Sequence, residues 1–206
     1  MPNLAPSKIV CVGRNYAAHA KELGNEVPKQ PLIFLKPPSS LIRSGESIRL
    51  PTVSKQVEYE GEIGVLIGAR LRRATREEAR GAMAGIFAAN DVTARDLQKS
   101  DGQWTRAKGF DTFCAVGEVG PVPADLTTLS VTTRVNGTVR QQGSATEMVF
   151  DLPAILVYVS GIMTLEPGDL VLTGTPEGVG TLSSGDVVEV EIPGVSRVSN
   201  PVTHDA

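Results

Sequence analysis

Short apolar runs and stretches of period-two alternation, punctuated by glycine and proline, predict a strand-heavy protein with three helices. The predicted strands are Lys8–Val12, Leu32–Leu35, Val57–Ile67, Gly85–Thr93, Asp169–Thr173 and Gly185–Ile192, with a hairpin over Leu129–Gln141 turning at Asn136-Gly137. The helices carry their own stop and start signals. Tyr16–Leu23 runs into Gly24 and Asn25, and Thr75-Arg76-Glu77-Glu78 is a capping box opening a helix to about Met83. Asp151 caps a helix to about Met163 that puts Leu152, Ile155, Leu156, Val159 and Met163 on one face. Asp101–Phe113 is turn-rich, and Ser196–Ala206 is expected to be a frayed tail.

One stretch resists a purely structural reading. As a strand, Val57–Ile67 aligns Glu58, Glu60 and Glu62 on a single face. Same-face neighbours lie roughly 7 Å apart, where unit charges at an effective dielectric of about 20 repel by about 2.4 kcal/mol. Water screens such a triplet if it lines an outer surface; a hard divalent cation offsets it if it does not. The cation needs a further oxygen ligand. Alternation over Gly85–Thr93 makes Asp91 the candidate, although Asn90-Asp91 also suits a turn.

His19 and Glu22, three residues apart, fall on one helix face within hydrogen-bonding reach. A carboxylate beside histidine fixes its tautomer and raises its basicity, as a general base for water requires; an exposed surface pair fits the fragment equally well. Thr173–Gly180, TGTPEGVG, either presents backbone N–H groups to an anion or simply turns the chain.

Composition narrows the classes. The 206 residues suffice for an independent core, and with no interior linker they are read as a single domain over 1–206. The net charge of −3 and an aromatic content of 4% leave neither a basic stripe nor stacking platforms for nucleic acid, and the local cluster of Arg70, Arg72, Arg73, Arg76 and Arg80 suits a solvated face. Cys11 and Cys114 lack metal-site spacing and sit in apolar surroundings, as buried reduced thiols do. No apolar run reaches membrane-spanning or signal-peptide length, so a cytoplasmic location is expected and Asn136-Gly137-Thr138 reads as a turn rather than a glycosylation site. There is no Walker loop and no serine-hydrolase elbow.

RNYAAH with Glu22 three residues beyond its histidine, FLKPPSS, the E-x-E strand, NDVTARDLQ, WTRAKGFDTF, RQQGSATEMVF and LTGTPEGVG occur in order from about Ile9 to Ile192. Together they resemble the fumarylacetoacetate hydrolase family, in particular its small acylpyruvate hydrolase and oxaloacetate decarboxylase branch. The resemblance implies an α+β, mainly β fold of mixed sheets layered into a roll, a homodimer, and Mg²⁺ or Mn²⁺ at the centre. It implies Glu60, Glu62 and Asp91 as metal ligands, Lys108 facing substrate, His19 and Glu22 as a water-activating pair on a mobile lid, and Arg14, Gln98 and Thr175 near the substrate. The expected reaction is C–C cleavage of a small 2-oxo or 2,4-dioxo acid such as an acylpyruvate, whose enolate a chelated metal stabilises. Decarboxylation of oxaloacetate or isomerisation of a hydroxy-diene dioate at the same metal is the alternative. Two positions depart from the family pattern, Glu58 where histidine is common and Gly61 where leucine is, and both are expected to alter the polarity of the pocket.

Overall fold

The computed structural model describes residues 5–205. A seven-stranded mixed sheet runs in the order β2 (Leu32–Lys36), β1 (Ile9–Gly13), β12 (Leu170–Leu172), β6 (Gly61–Ile67), β7 (Met83–Asp91), β9 (Cys114–Val116), β3 (Leu41–Arg43). A five-stranded sheet orders β11 (Thr138–Ser144), β10 (Ser130–Val135), β14 (Val187–Ile192), β15 (Ser196–His204) and β4 (Ile48–Leu50). A small third sheet joins β13 (Gly180–Thr181), β5 (Val57–Tyr59) and β8 (Thr93–Ala94). With five short α-helices among the described residues, this is an α+β, mainly β fold.

Both faces of the large sheet are covered, which is why IVCV and LVL read as continuous apolar runs rather than as alternations. One face packs Ile63, Val65, Ile67, Ile86 and Ala88 against Val131, Val188, Val190 and Val198 of the five-stranded sheet. The other holds a second cluster of Ile9, Cys11, Phe87, Ala89, Cys114, Val116, Leu170 and Leu172. Each fully buried Val, Leu, Ile or Phe contributes about 1.5–3 kcal/mol. Both cysteines are unpaired and buried in that second cluster, and burial pushes the Cys114 thiol up to about 12, so it stays protonated at neutral pH.

Local signals act where they were expected. Thr75 and Glu78 form the reciprocal capping box of α2 (Arg76–Gly81), and Asp151 accepts from the Ala154 N–H to cap α5 (Leu152–Ile162). Asn136 and Gly137 turn the β10–β11 hairpin with φ of 51° and 77°. Three expectations are corrected. Val57–Ile67 is not one strand but two in different sheets, broken at Glu60. Asp101–Phe113 is less loop-like than read, since it contains α4 (Thr105–Lys108), preceded by α3 (Arg95–Asp101). The segment from Ser196 is no frayed tail but the nine-residue strand β15, paired to β14 and β4. Its inward positions include Ser196 and Asn200 beside Val198 and Val202, and those polar residues hide the alternation. Ala206, the last residue of the expected tail, lies outside the described residues.

Gly61 turns out to face the second sheet rather than the pocket. A Cβ there would stand 1.9 Å from Thr133 Oγ1, so the closeness of the two sheets at this point requires glycine. Gly61→Ala is expected to destabilise by about 1–3 kcal/mol in urea denaturation, as overpacking does. Adding Thr133→Ala should recover part of that loss; if it recovers none, the contact is not the cause.

Candidate metal centre and active site

The site forms at one end of the large sheet, where the break at Glu60 lets the chain leave β5 and enter β6. Asn90 Oδ1 accepts from the Glu60 N–H at 2.9 Å and the Asp91 N–H donates to Glu60 O at 2.8 Å, so the kink is held by the neighbouring strand β7. The kink brings Glu60, Glu62 and Asp91 together, with one carboxylate oxygen from each within 4.8 Å of the others. All three are buried, as is Glu58, so no solvated outer face exists here.

Burial of that much negative charge demands compensation, and three cations supply most of it. Arg95 donates to Glu58 Oε2 at 2.8 Å, to Glu60 Oε1 at 2.5 Å and to Gln98 Oε1 at 2.6 Å. Lys108 Nζ bridges Glu60 Oε2 and Asp91 Oδ2, both at 2.7 Å, and also lies 5.0 Å from the ring centre of Phe34. Lys36, on the edge strand β2, donates to Asp91 Oδ1 at 2.5 Å and to Val92 O at 3.1 Å. Glu58, Glu60, Glu62 and Asp91 against Arg95, Lys36 and Lys108 is four negative charges against three positive ones, and the excess falls on Glu62. Its partner is the Gly174 N–H at 2.7 Å, and no cation contacts it among the described residues.

The proton affinities follow. Burial pushes the Glu60 carboxyl up, but the ammonium of Lys108 and the guanidinium of Arg95 outweigh it and hold Glu60 far below the usual carboxylate range. Burial together with Asp91 and Glu60 pushes Glu62 well above that range. Burial acts to lower the Lys108 pKa, yet Asp91 and Glu60 raise it overall, so Lys108 is firmly protonated.

On the opposite wall, α1 (Ala17–Glu22) carries His19, buried, with Nδ1 at 3.0 Å from Glu22 Oε2. The imidazole is thus buried while Glu22 stays exposed, so the two do not form a wholly solvated surface pair. In the neutral tautomer whose Nδ1–H donates to Glu22, Nε2 is the acceptor left to the cavity. The second oxygen of Glu22 accepts from the Gly178 N–H at 2.9 Å, so the TGTPEGVG loop holds Glu62 through Gly174 and Glu22 through Gly178. His19, Glu60, Glu62, Asp91, Lys108 and Arg14 line one cavity of about 40 Å³, room for a few waters.

Arg14, Gln98 and Thr175 also line this cavity, on different terms. Arg14 adopts φ 58°, a strained backbone for a non-glycine residue, with its guanidinium 6.0 Å from the ring centre of Trp104. The Gln98 carbonyl is engaged by Arg95, and the Thr175 hydroxyl is engaged by Gly61 O and Gln141. Glu58 does not line the cavity; it acts behind Glu60, through Arg95.

A sequence profile described as the C-terminal domain of fumarylacetoacetate hydrolase matches residues 8–203. The chain belongs to the fumarylacetoacetate hydrolase family. Within the family it is 46% identical over 198 residues to the mitochondrial oxaloacetate tautomerase FAHD1 of Arabidopsis thaliana, covering 93% of this chain and 89% of that one. Among solved structures, 2-hydroxyhepta-2,4-diene-1,7-dioate isomerase from Mycobacterium marinum superposes with a TM-score of 0.90 at 43% identity, covering 98% of this chain and 77% of that one. Fumarylpyruvate hydrolase from Pseudomonas aeruginosa, in complex with Mn²⁺ and pyruvate, superposes with a TM-score of 0.91 at 29% identity, covering 98% and 91%. Family members are thus enzymes of several reaction types acting on small oxo acids.

The donor set suits a hard divalent ion. Three clustered carboxylates offer only oxygen, and Glu62 lacks the counter-charge that its partners have. Two charged residues of the cluster, Lys36 in FLKPPSS and Arg95 in NDVTARDLQ, stand within the family motifs without being among the expected site residues. Lys36 interrupts the apolar run LIFLK at a position that alternation places beside Phe34, and Arg95 stands three residues before Gln98; a charge inside an apolar run between prolines is the one local signal for the first. Replacing Lys36 with Met should leave Asp91 Oδ1 buried without a cation and cost about 3–5 kcal/mol in urea denaturation. A loss under 1 kcal/mol would mean that Lys108 alone neutralises Asp91.

Proposed function

We propose that the protein is a Mg²⁺- or Mn²⁺-dependent enzyme that cleaves a C–C bond in acylpyruvate-type 2,4-dioxo acids. Glu60, Glu62 and Asp91 would hold the ion. When bound, such an ion supplies Lewis acidity, which favours negative charge on the oxygens of a 2-oxo acid. The residues around it have separate tasks. The Lys108 ammonium offsets the charge that builds as pyruvate departs as its enolate. Arg14 attracts the substrate's anionic end. His19 takes a proton from water through Nε2, and Glu22 stabilises the resulting imidazolium through Nδ1–H while the Gly178 N–H keeps Glu22 oriented. Water then adds to the distal carbonyl, giving a carboxylic acid and, after proton return, pyruvate. The observation that carries this reading is that His19, hydrogen-bonded to the exposed Glu22, is itself buried and lines the same cavity as the carboxylate cluster.

A second reading, tautomerisation or decarboxylation of oxaloacetate, is supported by the 46% identity to an oxaloacetate tautomerase. It needs enolate stabilisation without an attacking water. The test is turnover of acylpyruvates, fumarylpyruvate and oxaloacetate with Mg²⁺, with Mn²⁺ and with EDTA. Pyruvate release from the dioxo acids that stops in EDTA is the expected result; turnover confined to oxaloacetate would reject the hydrolase.

A further inference from the structure

The TGTPEGVG loop touches the two halves of the site at different points, so something must fix it relative to both. Gln141, on β11 and 1% exposed, is placed to do this. Its Oε1 accepts from the Gly61 N–H at 2.9 Å, between the two glutamates, and its Nε2 donates to Thr175 Oγ1 and to Pro176 O, both at 2.8 Å. Thr175 Oγ1–H in turn donates to Gly61 O at 2.9 Å. Both backbone polar groups of Gly61 are therefore taken by this pair. Pro176 stands midway between Gly174, which holds Glu62, and Gly178, which holds Glu22. The loop also lies directly on β11. Gly178 has φ 96°, and a Cβ there would stand 2.2 Å from Arg140 O.

We infer that Gln141 is a positioning residue that sets the Glu60–Glu62 segment and the His19–Glu22 pair in register with one another through a single buried amide. Its reach to the carboxylates as metal ligands rests on the proposed function; its reach to α1 does not. An amide is the side chain this position needs, because one end must accept from an N–H while the other donates twice. A carboxylate supplies no donor, and an apolar chain supplies neither.

The test uses the full chain carrying Gln141→Met, similar in length but without either function, with Val131→Ala on the adjacent strand as a control for core damage. Two readouts are taken: Mn²⁺ affinity by calorimetry, and amide exchange of residues 17–22 in EDTA. The expected result is a Mn²⁺ Kd raised tenfold or more and exchange of 17–22 at least tenfold faster in Gln141→Met, with Val131→Ala within twofold of wild type on both at a comparable loss of Tm. If Gln141→Met matches the control on both readouts, Gln141 is only a packing element and the inference is overturned. If Gln141→Met does not fold, Thr175→Val, which removes the hydroxyl between Gln141 and Gly61, must show the same two changes; wild-type values there also overturn it. Because exchange is read without metal, faster exchange in a protein whose wild type fails to bind Mn²⁺ supports the coupling to α1 and rejects the metal reading instead.

Discussion

Glutamine at position 62 is expected to stabilise the metal-free protein and to abolish its response to divalent ions. Glu62 is buried beside Asp91 and Glu60, with one N–H donor and no cation in contact among the described residues, and these surroundings raise its pKa. For a carboxyl raised in the folded state, the protonated form is the favoured one. Stability is therefore fully present below the unfolded value and is lost as pH rises through the folded value. Glutamine keeps the acceptor for the Gly174 N–H and removes the charge. In EDTA at neutral pH the variant should melt higher than wild type, by about 2–4 °C for each kcal/mol of relieved repulsion. The wild type should gain about 2.7 kcal/mol from Mn²⁺ at a hundred times its Kd, and the variant nothing comparable. Turnover should fall by about 10³-fold, the equivalent of roughly 4 kcal/mol of lost transition-state stabilisation. A variant that still melts higher with Mn²⁺ would remove Glu62 from the ligand set.

Glu22→Ala should divide two reactions that share one site. Hydrolysis needs a base for water, whereas decarboxylation of oxaloacetate requires only that charge be stabilised on the enolate left behind. Losing Glu22 frees the His19 ring to change tautomer and withdraws the counter-charge from its imidazolium. Acylpyruvate cleavage is therefore expected to fall by about 10²-fold or more, within the range for losing general-base assistance, with decarboxylation less affected. Glu60→Ala should depress both. Equal losses from Glu22→Ala would make α1 a substrate-positioning lid, since Glu22 also ties it to Gly178. Rate measurements on both substrates with the same protein preparation decide between these outcomes.

Much of this molecule is written locally. The Thr75–Glu78 capping box, the Asp151 cap and the Asn136-Gly137 turn act over three or four residues, so their chemistry is complete within the segment that displays it. The His19–Glu22 pair belongs with them, because one helical turn sets its geometry. The i, i+2 glutamates revealed that charge was concentrated on one stretch, and alternation in the next strand pointed to Asp91. What they could not reveal was whether that charge met water. Only the packing of three sheets buried it, and only long-range pairing showed how it is balanced: Lys36 reaches Asp91 across 55 positions, and Arg95 reaches Glu58 across 37. The same holds for β15, whose inward Ser196 and Asn200 look polar and frayed until their side chains meet partners more than 70 residues away, Ser196 at Glu118 O and Asn200 at Arg43 O. Local patterns determine which elements form and which side chains share a face; the compensation of a buried charge or polar group depends on partners that folding alone brings within reach.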